Sequence, residues 1–469
     1  MRLRGALAVV LMVVAGAAAP ATAATGWGAP VGSPVRYTPP VGGIMSANVT
    51  YVGTIPDTPG VGGRMVKVGD QMRFYVTGVK GLTIYDVTDP ALPIPLGALP
   101  LPHFQNEDVD VSDDGSRVII STDTVHAGSN GSTVAAGGGS IRVIDTSNPL
   151  QPRVTAYIAS SNHTTTCADP KCEWLYGSSG NIYDARTPGA ITAVSPGVPG
   201  GGGHAFNRDA TGLLISDSTV RRVLDPREDP AHPTVITDGR TASKFNPDGL
   251  LQHNNVRPNA DQWVPRELPE SGIPDPELPL RPGELIVGNS ESNVRTQCGG
   301  NAGGLSAWSM VDFDKGAKLE QLEVFRPVNG NWADGDPAAN ALGCSGHWFT
   351  VRNNMIAASW YEHGIKLIEI DPETGKFTQQ GYFQPVVTEA GASHWVTDSE
   401  GNEYVYNVDY ARGIDIIRFD RAAAPPSEQE LSESWTWNLE NLRARGPGAY
   451  AQAERFACRI AMRGALSVA

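Results

Sequence analysis

Three things are scarce in this chain of 469 residues: long apolar runs, positive charge and cysteine. Past the leader segment, no stretch reaches the roughly 20 apolar residues that a helix needs to cross a bilayer. Lys and Arg number 36 against 50 Asp and Glu, which gives a formal net charge of −14 at pH 7. Such a surface repels phosphate backbones and anionic lipids, and this argues against nucleic acid as the partner. There are five cysteines, and one close pair without a second half is not a zinc knuckle. Also missing are a Gly-x-Ser-x-Gly elbow, a Walker loop and a histidine pair spaced as in zinc proteases. The acidic clusters at 107–114 and 369–373 lack the ligand spacing of an EF-hand.

What the chain has instead is 53 Gly and 36 Pro with few long helical periods, the mark of many short strands and turns. Residues 1–23 read as a secretory signal: Arg2 and Arg4, then an apolar run from Ala6 to Ala19, then the small-residue site Ala21-Thr22-Ala23. The mature chain is therefore expected outside the cytoplasm, with no transmembrane anchor. In that setting thiols pair. Cys167 and Cys172 bracket a four-residue turn, Cys298 and Cys344 form the next pair across an insertion, and Cys458 is left over. Residues 24–44 read as an extended lead.

From residue 45 the chain repeats. The clearest unit is Gly81-Leu82-Thr83-Ile84-Tyr85-Asp86-Val87-Thr88-Asp89-Pro90, echoed by Ile141-Arg142-Val143-Ile144-Asp145 with Pro149 and Pro152. Later copies, Gly364 to Asp371 and Gly413 to Asp420, keep the strand and lose the prolines. Each copy is a short strand, an Asp able to bond its own backbone, and a stop to strand pairing. Seven units result, at about 60–102, 103–159, 160–203, 204–252, 253–346, 347–393 and 394–421, each near the size of a four-stranded propeller blade. The last unit is one strand short. Asn48 to Thr54 resembles a final strand, and pairing it there would close the circle and remove two sheet edges. The expected fold is all-β, a seven-bladed β-propeller over 45–421 closed by an N-terminal strand. A helical tail over 422–469 follows, opened by the capping-box pattern Ser427-Glu428-Gln429-Glu430.

These units resemble LVIVD repeats, found in exported bacterial and archaeal β-propeller proteins. The resemblance is carried by the Gly-Leu-Thr-Ile-Tyr-Asp-Val-Thr-Asp-Pro unit and its copies. It implies the propeller fold over about residues 45–420 and implies little about activity.

The functional signal is histidine. His103, His163, His204, His253, His347 and His394 each stand near the start of a unit, and counting back from Gly81 puts Arg64 in the corresponding place of the first unit. His126 and His363 fall in loops expected on the same face, leaving His232 opposite. Trp348 and Trp395, each next to one of these histidines, are expected to point away into the core between blades. Three readings of the set remain. A subset could hold copper, iron, zinc or nickel. Each imidazole could bond a neighbouring blade's backbone as a repeated packing device. Or the mouth could bind an anionic or polar ligand with Arg64 and His363 contributing. The first reading allows a copper or iron oxidoreductase, the second a structural cell-envelope protein. The expectation placed first is a monomeric extracellular binding or scaffold protein whose partner is a ligand or another protein.

Overall fold

The computed structural model describes residues 42–445 apart from 57–59, 79–80, 102–108, 123–138, 200, 203, 213, 217–221, 239–250, 265, 267–278, 292–303, 311–319 and 326–345. The alternating segments of each unit form strands. Among the described residues they build seven antiparallel sheets, spanning in chain order 60–100, 110–159, 165–194, 206–238, 251–325, 349–385 and 390–419. The first strand of each sheet packs on the first strand of the next, and that of the seventh packs on that of the first, so the cycle is closed. A parallel bridge between Trp348 and Ala392 shows that two neighbouring first strands run in the same direction. Strands stacked outward from a closed inner circle define a β-propeller.

The repeat's residues account for its local shape. Gly81 and Gly364 open a third strand at φ 120° and 69°. A Cβ at either would lie 2.2 Å from the carbonyl oxygen of Leu99 or Phe383, so only glycine fits. The aspartate at the strand's end turns the chain on itself. Asp86 accepts from the Thr88 amide at 2.9 Å and Asp145 from the Ser147 amide at 3.0 Å. Asp184 and Asp225 do the same for Arg186 and Arg227. Such turns end each strand by satisfying its last amides locally.

Closure occurs as the sequence suggests. Val49–Pro56 pairs antiparallel with Gly413–Phe419, from Val49 opposite Phe419 to Pro56 opposite Gly413. A second N-terminal strand, Gly43–Met45, adds to the outer edge of the sixth sheet against Phe377–Pro385. The lead read as ending at residue 44 thus finishes inside a strand.

The core lies between sheets. Tyr75, Leu82 and Ile84 of the first meet Val111, Val118 and Ile120 of the second, each side chain contributing about 1.5–3 kcal/mol by leaving water. Trp395 is buried with residues of the sixth and seventh sheets, and Trp348 with residues of the seventh and first, both as core side chains.

The tail begins with an 18-residue helix, Glu428–Arg445. The Ser427 amide donates to Glu430 Oε2 at 2.8 Å and the Glu430 amide to Ser427 Oγ at 3.3 Å, a reciprocal cap. No helix among the described residues is long and apolar enough to cross a membrane. The Cys167–Cys172 disulfide is present. The signal segment 1–23, Cys298, Cys344, Cys458 and the second tail helix expected from Ala449 lie outside the described residues.

Candidate functional site

The inner strands carry two different sets of side chains along their length. Near their starts, four imidazoles from consecutive sheets lie side by side. The ring centroids of His163 and His204 are 4.5 Å apart, those of His204 and His253 4.3 Å, and those of His253 and His347 4.1 Å. The arc descends from surface to interior: His163 and His204 are half-buried, His253 and His347 fully buried. It ends against Tyr361 and Tyr410, whose rings sit 4.9 and 5.9 Å from that of His347.

The arc is tied into the wall of the channel. His347 Nδ1 is 2.6 Å from the carbonyl oxygen of Gly391 on the next sheet, the contact the packing reading requires. Elsewhere the same sheet-to-sheet stitch uses other residues. Thr164 Oγ1 donates to the His204 carbonyl. Asn207 donates to Asn254 at 2.9 Å, Asn254 to the Phe349 carbonyl at 3.0 Å, and Thr350 to the Ser393 carbonyl at 2.9 Å. Asn207 and Asn254 therefore bridge sheets. Asn162 holds its own loop instead, accepting from the Ser179 amide and hydroxyl at 3.0 and 2.6 Å.

Not every histidine of the set joins the arc. His103 and His126 lie outside the described residues. His394 sits deeper in its strand. It pairs with Tyr406, seven residues before Gly413, whereas the His347 amide bonds Ser359, five before Gly364. A bulge between Ala390 and Ala392 accompanies the shift. Arg64 likewise pairs with Tyr75, six before Gly81, deeper than His347. The first and seventh sheets thus depart from the level of the other four, and Arg64 and His394 become neighbours below it. His363 is fully buried, and burial together with Lys366 holds its pKa well below the usual imidazole range. Burial brings Lys366 itself down to about 7. His232 is exposed, with Nδ1 2.9 Å from Asp229. Among the described residues no three His, Cys, Asp or Glu side chains are grouped so as to share a metal ion.

Beyond the arc the channel opens into a cavity of about 580 Å3 walled by the inner strands of the first, fourth, fifth, sixth and seventh sheets. Its lining includes Arg64, Arg208, Arg257 and Arg352, with Asp209, Asp261 and His394. Arg257 Nη1 meets Asp209 Oδ2 at 3.1 Å, and Arg208 pairs with Asp113. Arg64 Nε reaches Asp110 only at 3.8 Å. Burial, then the charge of Arg64, pushes His394 down to about 3, so it is neutral at pH 7. Asn259, Asn353 and Asn354, at the rim, take left-handed φ of 55°, 46° and 61°, which asparagine tolerates better than most residues.

Three of the cavity's arginines had a visible sequence signal: an arginine follows each of His204, His253 and His347 by four or five residues. One strand-length beyond an inner-mouth residue is the opposite end of the channel.

No family model and no curated relative matches the chain, so the LVIVD resemblance rests on the repeat residues alone. The β-propeller domain of Cps50 (Swd1) from Myceliophteria thermophila is similar in fold, at 12% identity and a TM-score of 0.49, covering 79% of this chain and all of that one. A chain of the mitotic checkpoint complex matches at 12% identity and a TM-score of 0.45, over 82% of this chain and 94% of its own.

Proposed function

We propose that this chain is an exported β-propeller that binds a ligand or partner protein at the channel mouth bearing the imidazole arc. The observation that supports this most directly is that arc: four histidines from four consecutive sheets, two of them half-exposed, gathered at one end of the inner strands. Half-exposed imidazoles present ring nitrogens to an incoming group, and the buried pair behind them fixes their position.

A metal-dependent reading, with copper or iron and an open coordination position for a substrate, draws on the same four side chains. It requires them to turn, because as placed no three of them are grouped to share an ion. Elemental analysis of protein purified without a histidine tag separates the two. Near-stoichiometric metal that is lost on replacing His204 and His253 would establish the metal reading. Metal-free protein whose His163→Ala and His204→Ala variants stay folded supports simple binding. Export has its own check, since the mature protein recovered outside the cells should begin near Ala24. A chain held in the cytoplasm with Met1 in place overturns that part of the proposal.

A further inference from the structure

We propose that the cavity beyond the imidazole arc is a second site, one for a small organic oxyanion, with Arg64 and Arg352 as its charged anchors. Its volume, about 580 Å3, falls inside the range of small-molecule pockets and exceeds what a bare phosphate would fill. Charge selects the class of ligand. Four arginines and two aspartates, Asp209 and Asp261, are among the residues that line the cavity. Two of the four are already matched, Arg257 by Asp209 and Arg208 by Asp113. Of the other two, Arg64 has only a long ion pair and Arg352 has none among the described residues. Asp110, the acid nearest Arg64, lies 3.8 Å away and already accepts from the amides of Val111 and Cys167 at 2.9 and 2.7 Å. Arg352 makes no ion pair with another described residue. An arginine facing a cavity is a planar fork of donors suited to a phosphate or carboxylate.

Buried polar atoms supply the second line of argument. Arg257 Nε and His394 Nε2 have no hydrogen-bond partner among the described residues, although these residues are only 4% and 8% exposed. Buried polar groups in folded proteins are nearly always satisfied, and both of these residues line the cavity. The lining also holds amides, with Asn207 donating to Asn254 and Asn259 to Asn354 at 3.0 Å. Four arginines against two aspartates in the lining leave it net positive, which favours an anion over a neutral sugar.

The test is calorimetric titration of the full chain, after extensive dialysis, with glucose 6-phosphate, citrate, inorganic phosphate and glucose. Saturable binding of glucose 6-phosphate or citrate is expected, with inorganic phosphate weaker and glucose silent. The two organic anions tell a phosphate site from a carboxylate site. Arg352→Gln and Arg64→Gln should each weaken binding by roughly tenfold or more, and Arg352→Lys should retain part of it. His204→Gln, in the arc, should leave it unchanged, so failure here and failure of the mouth reading are separable. The proposal is overturned if no anion binds below about 10 mM, or if glucose binds as well as its phosphate. Arginine variants with native circular dichroism and unaltered affinity would overturn it equally.

Discussion

The two ends of the channel solve opposite problems with residues a few positions apart on the same strands. At the strand starts, imidazoles pack against one another and, at His347, against the neighbouring sheet's backbone. At the strand ends, four arginines are among the residues that line a cavity. A neutral aromatic ring can be buried once its nitrogens are bonded, whereas a buried cation needs a partner charge or a ligand. The comparison teaches that recurrence of a residue in a repeat protein does not itself mark a binding site. The repeated histidine is partly a stitch between sheets, whereas the arginines gather around the cavity.

Removing the carboxylate of Asp209 should produce the largest effect, because it strands Arg257 in the wall of the cavity. Asp209→Ala is expected to cost about 3–5 kcal/mol in urea unfolding while tightening oxyanion binding by calorimetry. Weaker binding in that variant would mean the cavity's charge is not what holds the anion.

His347→Ala, at the buried end of the arc, should cost about 2–4 kcal/mol from lost packing and the lost bond to Gly391. His163→Ala at the exposed end should cost no more than about 1 kcal/mol. Equal costs would show that the arc is not graded from surface to core.

The third prediction is a pH dependence. His394 has a folded pKa of about 3 against about 6.5 when unfolded. Below pH 6.5 the unfolded chain binds the extra proton, so stability falls as pH drops from 6.5 toward 3. The loss is at most about 1.4 kcal/mol per pH unit from this group. Asp409 acts with the opposite sign. Burial and the nearby Asp415 raise its pKa, so the folded state holds its proton longer and stability falls as pH rises above the ordinary carboxylate range. His394→Gln should therefore flatten the acid limb measured by urea unfolding at several pH values. An unchanged limb would place the sensitive group elsewhere.

The smallest effect is expected at Arg352. Arg352→Gln should alter stability by about 0.5 kcal/mol or less yet abolish most oxyanion binding. A large loss of stability would make Arg352 a structural residue like Arg257.

Much of the fold was legible because local chemistry demanded it. Gly81 and Gly364 sit where a Cβ would strike a carbonyl, and Asp86 and Asp145 turn the chain by bonding their own backbone. Such devices repeat visibly in one dimension. The closing strand was legible because a unit missing a strand leaves an unpaired edge. The level of each histidine was not. The bulge that accompanies the displacement of His394 has no marker in the sequence near Ala390. Nor was the fate of the cations: whether Arg257 and Arg352 are matched depends on acids brought beside them by other turns of the chain.

The strand Val49–Pro56 is among the first made, and its partner, Gly413–Phe419, among the last. During synthesis the early strand must wait for nearly the whole chain, with the open edges of the incomplete circle exposed meanwhile. A product truncated before residue 413 would keep those edges and be prone to join others of its kind. Once shut, the circle has one early and one late strand of the chain paired in the same sheet, so that single row of hydrogen bonds holds the ring closed.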